Sequence, residues 1–254
     1  MHTLILFLSL SVYDCFSTHF SVKNEESSFL EKKTVVKSDQ ISHKLKYKIN
    51  IPDQINDKTR LVILIHGVGS NEENMMQVAS LLEEDYLIVS ARGPMTFSEN
   101  AFGWYNIDFS TGVPVYNYEE ASVSIQKLTE LISSLQKEYK ISQLNTVLIG
   151  FSQGAVMSYS VALEQPSLIG KVIGISGRIL KETKKKLNSV HFKNKPKFLI
   201  IHGESDKVLP LTYAQETLKT LTDTNLEANL ITHPHGHSIP STYKMQIRTF
   251  IEDK

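Results

Sequence analysis

The chain of 254 residues holds a single cysteine, Cys15, which excludes an internal disulfide and a cysteine-based metal cluster. It also lacks an excess of either charge, with 27 Lys and Arg against 27 Asp and Glu. Without a net field, nothing recruits nucleic acid or an anionic membrane surface, and a small neutral partner fits better. No internal apolar run is long enough to span a bilayer, so no integral membrane span is expected. Internal repeats and low-complexity tracts are missing too. The first residues carry no Lys or Arg, so the apolar run 3–12 has the length of a signal peptide without its positive flank. Cys15-Phe16-Ser17 offers small residues at cleavage positions, whereas Tyr13 and Asp14 are poor residues ahead of a lipoprotein cysteine. Residues 1–28 therefore read as a signal-like leader and polar tether. The expected location is exported, periplasmic or secreted, if 1–17 act as a signal, and cytoplasmic otherwise.

What is present is a 41% hydrophobic chain able to bury one large core, so 29–254 reads as a single domain. Residues 29–51 alternate in two short arms around Lys37-Ser38-Asp39-Gln40, the pattern of a β-hairpin. Leu61-Val62-Ile63-Leu64-Ile65 is continuously apolar, as a strand buried on both faces of a parallel sheet must be. Further short apolar runs at 87–91, 147–151, 171–176, 198–201 and 228–232 read as strands. Helical spacing appears at 75–83, 119–139, 210–221 and 242–251, and after residue 152. Residues 95–118, rich in aromatics, Gly and Pro, read as one long loop, and the lysines around Lys184-Lys185-Lys186 as a solvated connection. Alternating strands and helices specify an open, mostly parallel α/β sheet flanked by helices, with no insertion large enough for a cap domain.

Ligands of such sheets bind beyond the carboxyl ends of the strands, so chemistry-bearing residues should follow apolar runs. Gly150-Phe151-Ser152-Gln153-Gly154 sits at a strand-to-helix junction, where a sharp turn projects the serine hydroxyl outward. The same pentapeptide also suits an ordinary turn with a capping serine. Asp206 lies in the loop after 198–201, and His233-Pro234-His235-Gly236-His237 follows the last strand. Ser, then Asp, then His is the chain order of the α/β-hydrolase triad. Three histidines at alternate positions also fit one side of a metal site, but no nearby carboxylate or cysteine completes a ligand set. No metal and no cofactor are expected.

These residues, with His66-Gly67-Val68-Gly69-Ser70-Asn71-Glu72, Arg92-Gly93-Pro94, Trp104, His202-Gly203 and Gly236-His237-Ser238-Ile239, resemble the phospholipase/carboxylesterase family, which includes acyl-protein thioesterases. The resemblance runs from about residue 61 to the C-terminus. It implies an α/β-hydrolase with Ser152 as nucleophile, His237 as general base and acid, and Asp206 as the residue orienting His237. It further implies an oxyanion hole from the backbone N–H groups of Val68 and Gln153, and His66 as a residue that holds this loop. Phe102, Trp104 and Leu209 are candidates for the substrate pocket. The implied reaction is hydrolysis of carboxylic esters through an acyl-enzyme, with short-chain acyl esters, acyl thioesters or lysophospholipids as substrates. A non-catalytic binding protein on the same fold and an exopeptidase are the alternatives. The state of association is expected to be monomer or homodimer.

Overall fold

The computed structural model describes residues 45–108, 110, 114–187 and 192–253. Its centre is a seven-stranded sheet. The members are β1 (Tyr47–Asn50), β2 (Leu61–Ile65), β3 (Leu87–Ala91), β8 (Thr146–Phe151), β9 (Lys171–Ile175), β10 (Lys197–Gly203) and β11 (Ala228–His233), in the order β1-β3-β2-β8-β9-β10-β11. All neighbours run parallel except β1, which pairs antiparallel with β3 through Tyr47↔Ala91 and Asn50↔Ile88. The sheet is thus the mostly parallel one expected. The second arm of the anticipated hairpin is the edge strand β1, and its first arm lies outside the described residues.

The unbroken apolar runs follow from cover on both faces. Leu61, Ile63 and Ile65 face one core with Leu128, Leu131, Tyr159 and Leu163, while Val62 and Leu64 face a second with Met75, Val78, Ile247 and Ile251. All five residues of β2 are fully buried. The first face is covered by α2 (Tyr118–Tyr139) and α3 (Gln153–Glu164), the second by α1 (Glu72–Met76) and α6 (Lys244–Glu252). Helix α5 (Thr212–Asp223) packs beside β10 and β11. Helix α2 shows why the periodic segments were legible. Its start is capped by the Asn117 side chain, Glu119 and Glu120 lie at the positive end of its dipole, and Lys140 ends it at φ 56°.

Three expectations change. The helix of 75–83 starts earlier, as α1, because Asn71 accepts from the N–H of Asn74 at 2.9 Å, and it continues as a 3-10 turn over Gln77–Leu81. The long loop of 95–118 contains two small hairpins, β4 (Met95–Ser98) with β5 (Ala101–Gly103) and β6 (Ile107–Asp108) with β7 (Val115–Tyr116). These strands are two to four residues long, too short for alternation to register. The lysine-rich connection holds a short helix, α4 (Lys181–Lys186), whose Thr183 is buried against Ser160 and Glu164.

Candidate active site

Ser152 stands between β8 and α3 with φ 54° and ψ −119°, a backbone conformation that costs a side-chain-bearing residue about 1–3 kcal/mol. The surroundings hold it there. Its N–H donates to the Ile175 carbonyl of neighbouring β9 at 2.9 Å, and its carbonyl accepts from Ala155 and Val156 at the start of α3. Gly154 lets the helix approach the end of β2, because a Cβ there would meet the Ile65 carbonyl oxygen at 2.0 Å. That approach also brings Gly67 against Ser152: a Cβ on Gly67 would lie 3.3 Å from the Ser152 Cβ.

Asp206 and His237 reach Ser152 from the loops after β10 and β11. Gly203 has no room for a Cβ, which would sit 2.3 Å from the Gly236 carbonyl, and the two loops are tied by Glu204 N–H to His233 and Ser205 N–H to His235. The His237 Nδ1 lies 2.7 Å from Asp206 Oδ2, and its Nε2 2.9 Å from Ser152 Oγ. A carboxylate only accepts, so Nδ1 carries the proton and Nε2 presents its lone pair to the serine hydroxyl. Burial raises the pKa of Asp206. The His237 hydrogen bond and charge, with the N–H groups of Leu209 and Val208 on Oδ1, outweigh it and hold the carboxyl below the usual range. Asp206 is therefore ionised at neutral pH. Phe151 packs its ring 4.9 Å from that of His237.

His66 organises the other side. Its Nδ1–H donates to the Gly67 carbonyl at 2.7 Å, and its Nε2 accepts from the N–H of Gly93 at 2.9 Å. The ring is neutral, since burial pushes its pKa down to about 4. The loop 67–70 is also laced to β5, through Gly69 N–H to Phe102 and Phe102 N–H to Ser70, both at 2.8 Å. Among the described residues the Val68 N–H has no acceptor. Gln153, as first residue of α3, has an N–H that the helix itself leaves unpaired.

The pocket candidates fare differently. Trp104 is fully buried, its indole N–H on the His66 carbonyl at 2.9 Å and its ring 5.4 Å from that of His66, so it props the loop from beneath and lines no open pocket. Phe102 stacks under the Arg92 guanidinium at 4.4 Å and lines a recess of about 160 Å³ with Leu45, Lys46 and Thr96, away from Ser152. Aromatic content alone does not distinguish support from lining. Leu209 is half-buried, its N–H given to Asp206 and its carbonyl to His202 Nε2 at 2.7 Å, which leaves only its side chain for a ligand. The three alternate histidines do not meet at one point: His233 and His235 pack with ring centroids 5.8 Å apart, while His237 turns to Asp206 and Ser152. Among the described residues no three His, Cys, Asp or Glu side chains gather as a metal centre requires.

Two side chains that belong to the motifs of the resemblance support the site in ways the sequence did not show. The Gln153 side chain accepts from the N–H of Trp104 and donates to the Tyr105 carbonyl, both at 2.8 Å. His202, fully buried, closes the Asp206 loop through the Leu209 carbonyl.

A family model described as Phospholipase/Carboxylesterase matches residues 47–254. The chain belongs to the phospholipase/carboxylesterase family. It is 30% identical over 189 residues to the esterase YpfH of Escherichia coli, covering 71% of this chain and 76% of that protein. It is 28% identical to acyl-protein thioesterase 1 of Emericella nidulans, covering 66% of this chain and 78% of the relative. Among solved structures, that of esterase PE8 superposes with a TM-score of 0.72 at 25% identity, over 83% of this chain and 99% of that one. A Bacillus cereus carboxylesterase, at 16% identity and a TM-score of 0.68 over 82% and 94% of the two chains, shares the fold. The protein is a carboxylesterase/thioesterase-type hydrolase with the α/β-hydrolase fold. No helix among the described residues is long and apolar enough to cross a membrane.

Proposed function

We infer that the protein cleaves carboxylic esters through an acyl-enzyme on Ser152, with His237 as general base and acid and Asp206 as its orienting partner. The observation that carries this reading is the continuous hydrogen-bonded line from Ser152 Oγ to His237 at 2.9 Å and from His237 to Asp206 at 2.7 Å. A serine hydroxyl is barely ionised at neutral pH, so Nε2 takes its proton as Oγ forms a bond to the substrate carbonyl carbon. The proton then passes from Nε2 to the departing alcohol as the ester C–O bond breaks, leaving the acyl group on Oγ. Water repeats the sequence: Nε2 takes one of its protons, its oxygen bonds to the acyl carbon, and Oγ leaves with the proton returned. Asp206 keeps Nδ1 protonated and stabilises the imidazolium at each stage.

The N–H groups of Val68 and Gln153 form the oxyanion hole. Their support is that among the described residues neither has an acceptor, and that they flank Ser152 from the two sides that Gly67 and Gly154 bring together. Such donors contribute a few kcal/mol each to the transition state. Short-chain acyl esters are the first substrates of this reading. Acyl thioesters are the second, because a relative of 28% identity is an acyl-protein thioesterase. Lysophospholipids are a further class within the family's range.

A fluorophosphonate probe labels the wild-type protein, and Ser152→Ala abolishes both labelling and hydrolysis of p-nitrophenyl esters. Retained esterase activity in that variant overturns the assignment. A series of p-nitrophenyl esters of increasing chain length, run beside an acyl-thiocholine series, ranks the acyl groups and the ester against the thioester.

A further inference from the structure

The loop after β9 carries a cation that the mechanism above does not use. Arg178 is half-buried, and its guanidinium lies over the rings of Tyr213 at 4.9 Å and Tyr116 at 5.6 Å. Those rings come from the start of α5, beyond the Asp206 loop, and from β7, so three separate segments build one cradle. Among the described residues Arg178 donates no hydrogen bond and has no carboxylate within ion-pair distance. The Tyr116 hydroxyl in this cradle donates to Glu182 at 2.5 Å. A guanidinium has five N–H donors. Here the cation lies over two aromatic rings, and among the described residues none of its donors is taken.

Its address ties it to the site. Strand β9 is the sheet neighbour of β8, and Ile175, at its end, accepts the N–H of Ser152. Ser176 follows with φ 49°, anchored to the Ile201 carbonyl, and turns the chain so that Gly177 packs on Ala155, where a Cβ would come within 2.4 Å of the Ala155 Cβ. Arg178 is the next residue, at the carboxyl edge of the sheet between the loops that carry Ser152 and Asp206. Tyr105, whose carbonyl accepts from Gln153, lies 6.1 Å ring to ring from Tyr116 and joins the cradle to the residue after the nucleophile.

We propose that Arg178 is a specificity-determining residue that binds a carboxylate on the substrate, so that the enzyme prefers esters bearing a negative charge away from the scissile bond. The proposal rests on the acyl-enzyme reading of Ser152. Contact with the rings of Tyr116 and Tyr213 restrains the guanidinium in advance, which favours a two-pronged grip on a carboxylate. Partial burial strengthens that contact relative to one in open water.

The test uses two matched pairs of substrates: para-acetoxybenzoate against its methyl ester, with the charge on the leaving group, and p-nitrophenyl hemiadipate against p-nitrophenyl hexanoate, with the charge on the acyl group. In the wild type, kcat/KM favours the anion in at least one pair. In Arg178→Gln, kcat/KM for that anion falls by about 10- to 100-fold, while the neutral partner keeps its rate. Arg178→Lys recovers part of the loss, since charge is restored without the planar fork. Equal losses on charged and neutral esters mean that the cradle only ties α5 to the β7 hairpin, and they overturn the proposal, as does unchanged discrimination in both pairs. Failure of the Ser152 reading is a separate outcome, in which none of the four esters depends on Ser152.

Discussion

Acid weakens this protein through His66, and the structure sets the size of the effect. The ring is 1% exposed, and both its nitrogens are engaged, Nδ1–H on the Gly67 carbonyl and Nε2 under the Gly93 N–H. A second proton has no place without breaking the Gly93 bond. Burial, opposed by Gly67 and Glu72 and assisted by Arg92, brings the pKa from 6.5 to about 4. Between those values the unfolded chain binds more protons than the folded one, so stability from this group is complete above about pH 6.5 and declines as pH falls toward 4. At about 1.4 kcal/mol per pH unit the gap caps the loss at about 3 kcal/mol, and most of it has gone by about pH 4.5. His233, lowered by burial and then by His235 and His202, adds a loss of the same sign, so the wild-type curve alone does not isolate His66. Urea unfolding of wild type and His66→Gln at pH 7 and pH 4.5 does. Wild type is the more stable at pH 7, and the difference shrinks by about 2 kcal/mol at pH 4.5. A difference of the same size at both pH values refutes the argument.

On the acyl-enzyme reading, Asp206→Asn lowers kcat about a thousandfold to ten-thousandfold with KM little changed, because the amide no longer holds Nδ1 protonated; steady-state kinetics on a p-nitrophenyl ester reads this. Arg92→Met leaves Glu72, which is 4% exposed, without the bidentate partner that now meets both its oxygens, and it lowers unfolding free energy by about 3 kcal/mol; combining it with Glu72→Gln restores part of the loss. Gly154→Ala drives a Cβ into the Ile65 carbonyl and lowers Tm by several degrees, whereas Gly236→Ala, whose Cβ meets nothing nearer than 3.5 Å, leaves Tm within about a degree.

What the sequence revealed, and what it hid, divides along a physical line. Strand β2 and the Phe198–Ile201 stretch of β10 are covered on both faces and must be apolar, so composition exposed them. Ser152 and Asp206 follow such runs, His237 follows the half-buried edge strand β11, and their order along the chain was open to inspection. The hairpins β4–β5 and β6–β7 were hidden because strands this short have no period, and α4 because six residues rich in lysine look like any solvated stretch. The supporting contacts were hidden for another reason. Gln153 reaches Trp104 and Tyr105 about fifty positions away in the chain, and His66 reaches Gly93 across the gap between β2 and β3. No local pattern encodes such a pairing. Trp104 shows the cost: its aromatic character fitted pocket lining and loop packing equally well, and the fold buries it as a prop.

The same contacts separate the part of the site that is rigid from the part that selects. Around Ser152 several groups are paired: Asp206 holds two N–H groups and His237, His202 Nε2 closes the Asp206 loop, and His66 and Gln153 brace the loops on either side, whereas Ser176 Oγ, His202 Nδ1 and both His233 ring nitrogens are buried with no partner among the described residues. Paired, buried groups have one low-energy arrangement, which the acyl-enzyme reading asks of the residues around Ser152. Arg178 lies over aromatic faces and, among the described residues, has no hydrogen-bonding or ion-pair partner. On the proposal made for it, its open donors gain a partner only when a ligand arrives, and that differential selects among substrates that share the same scissile bond.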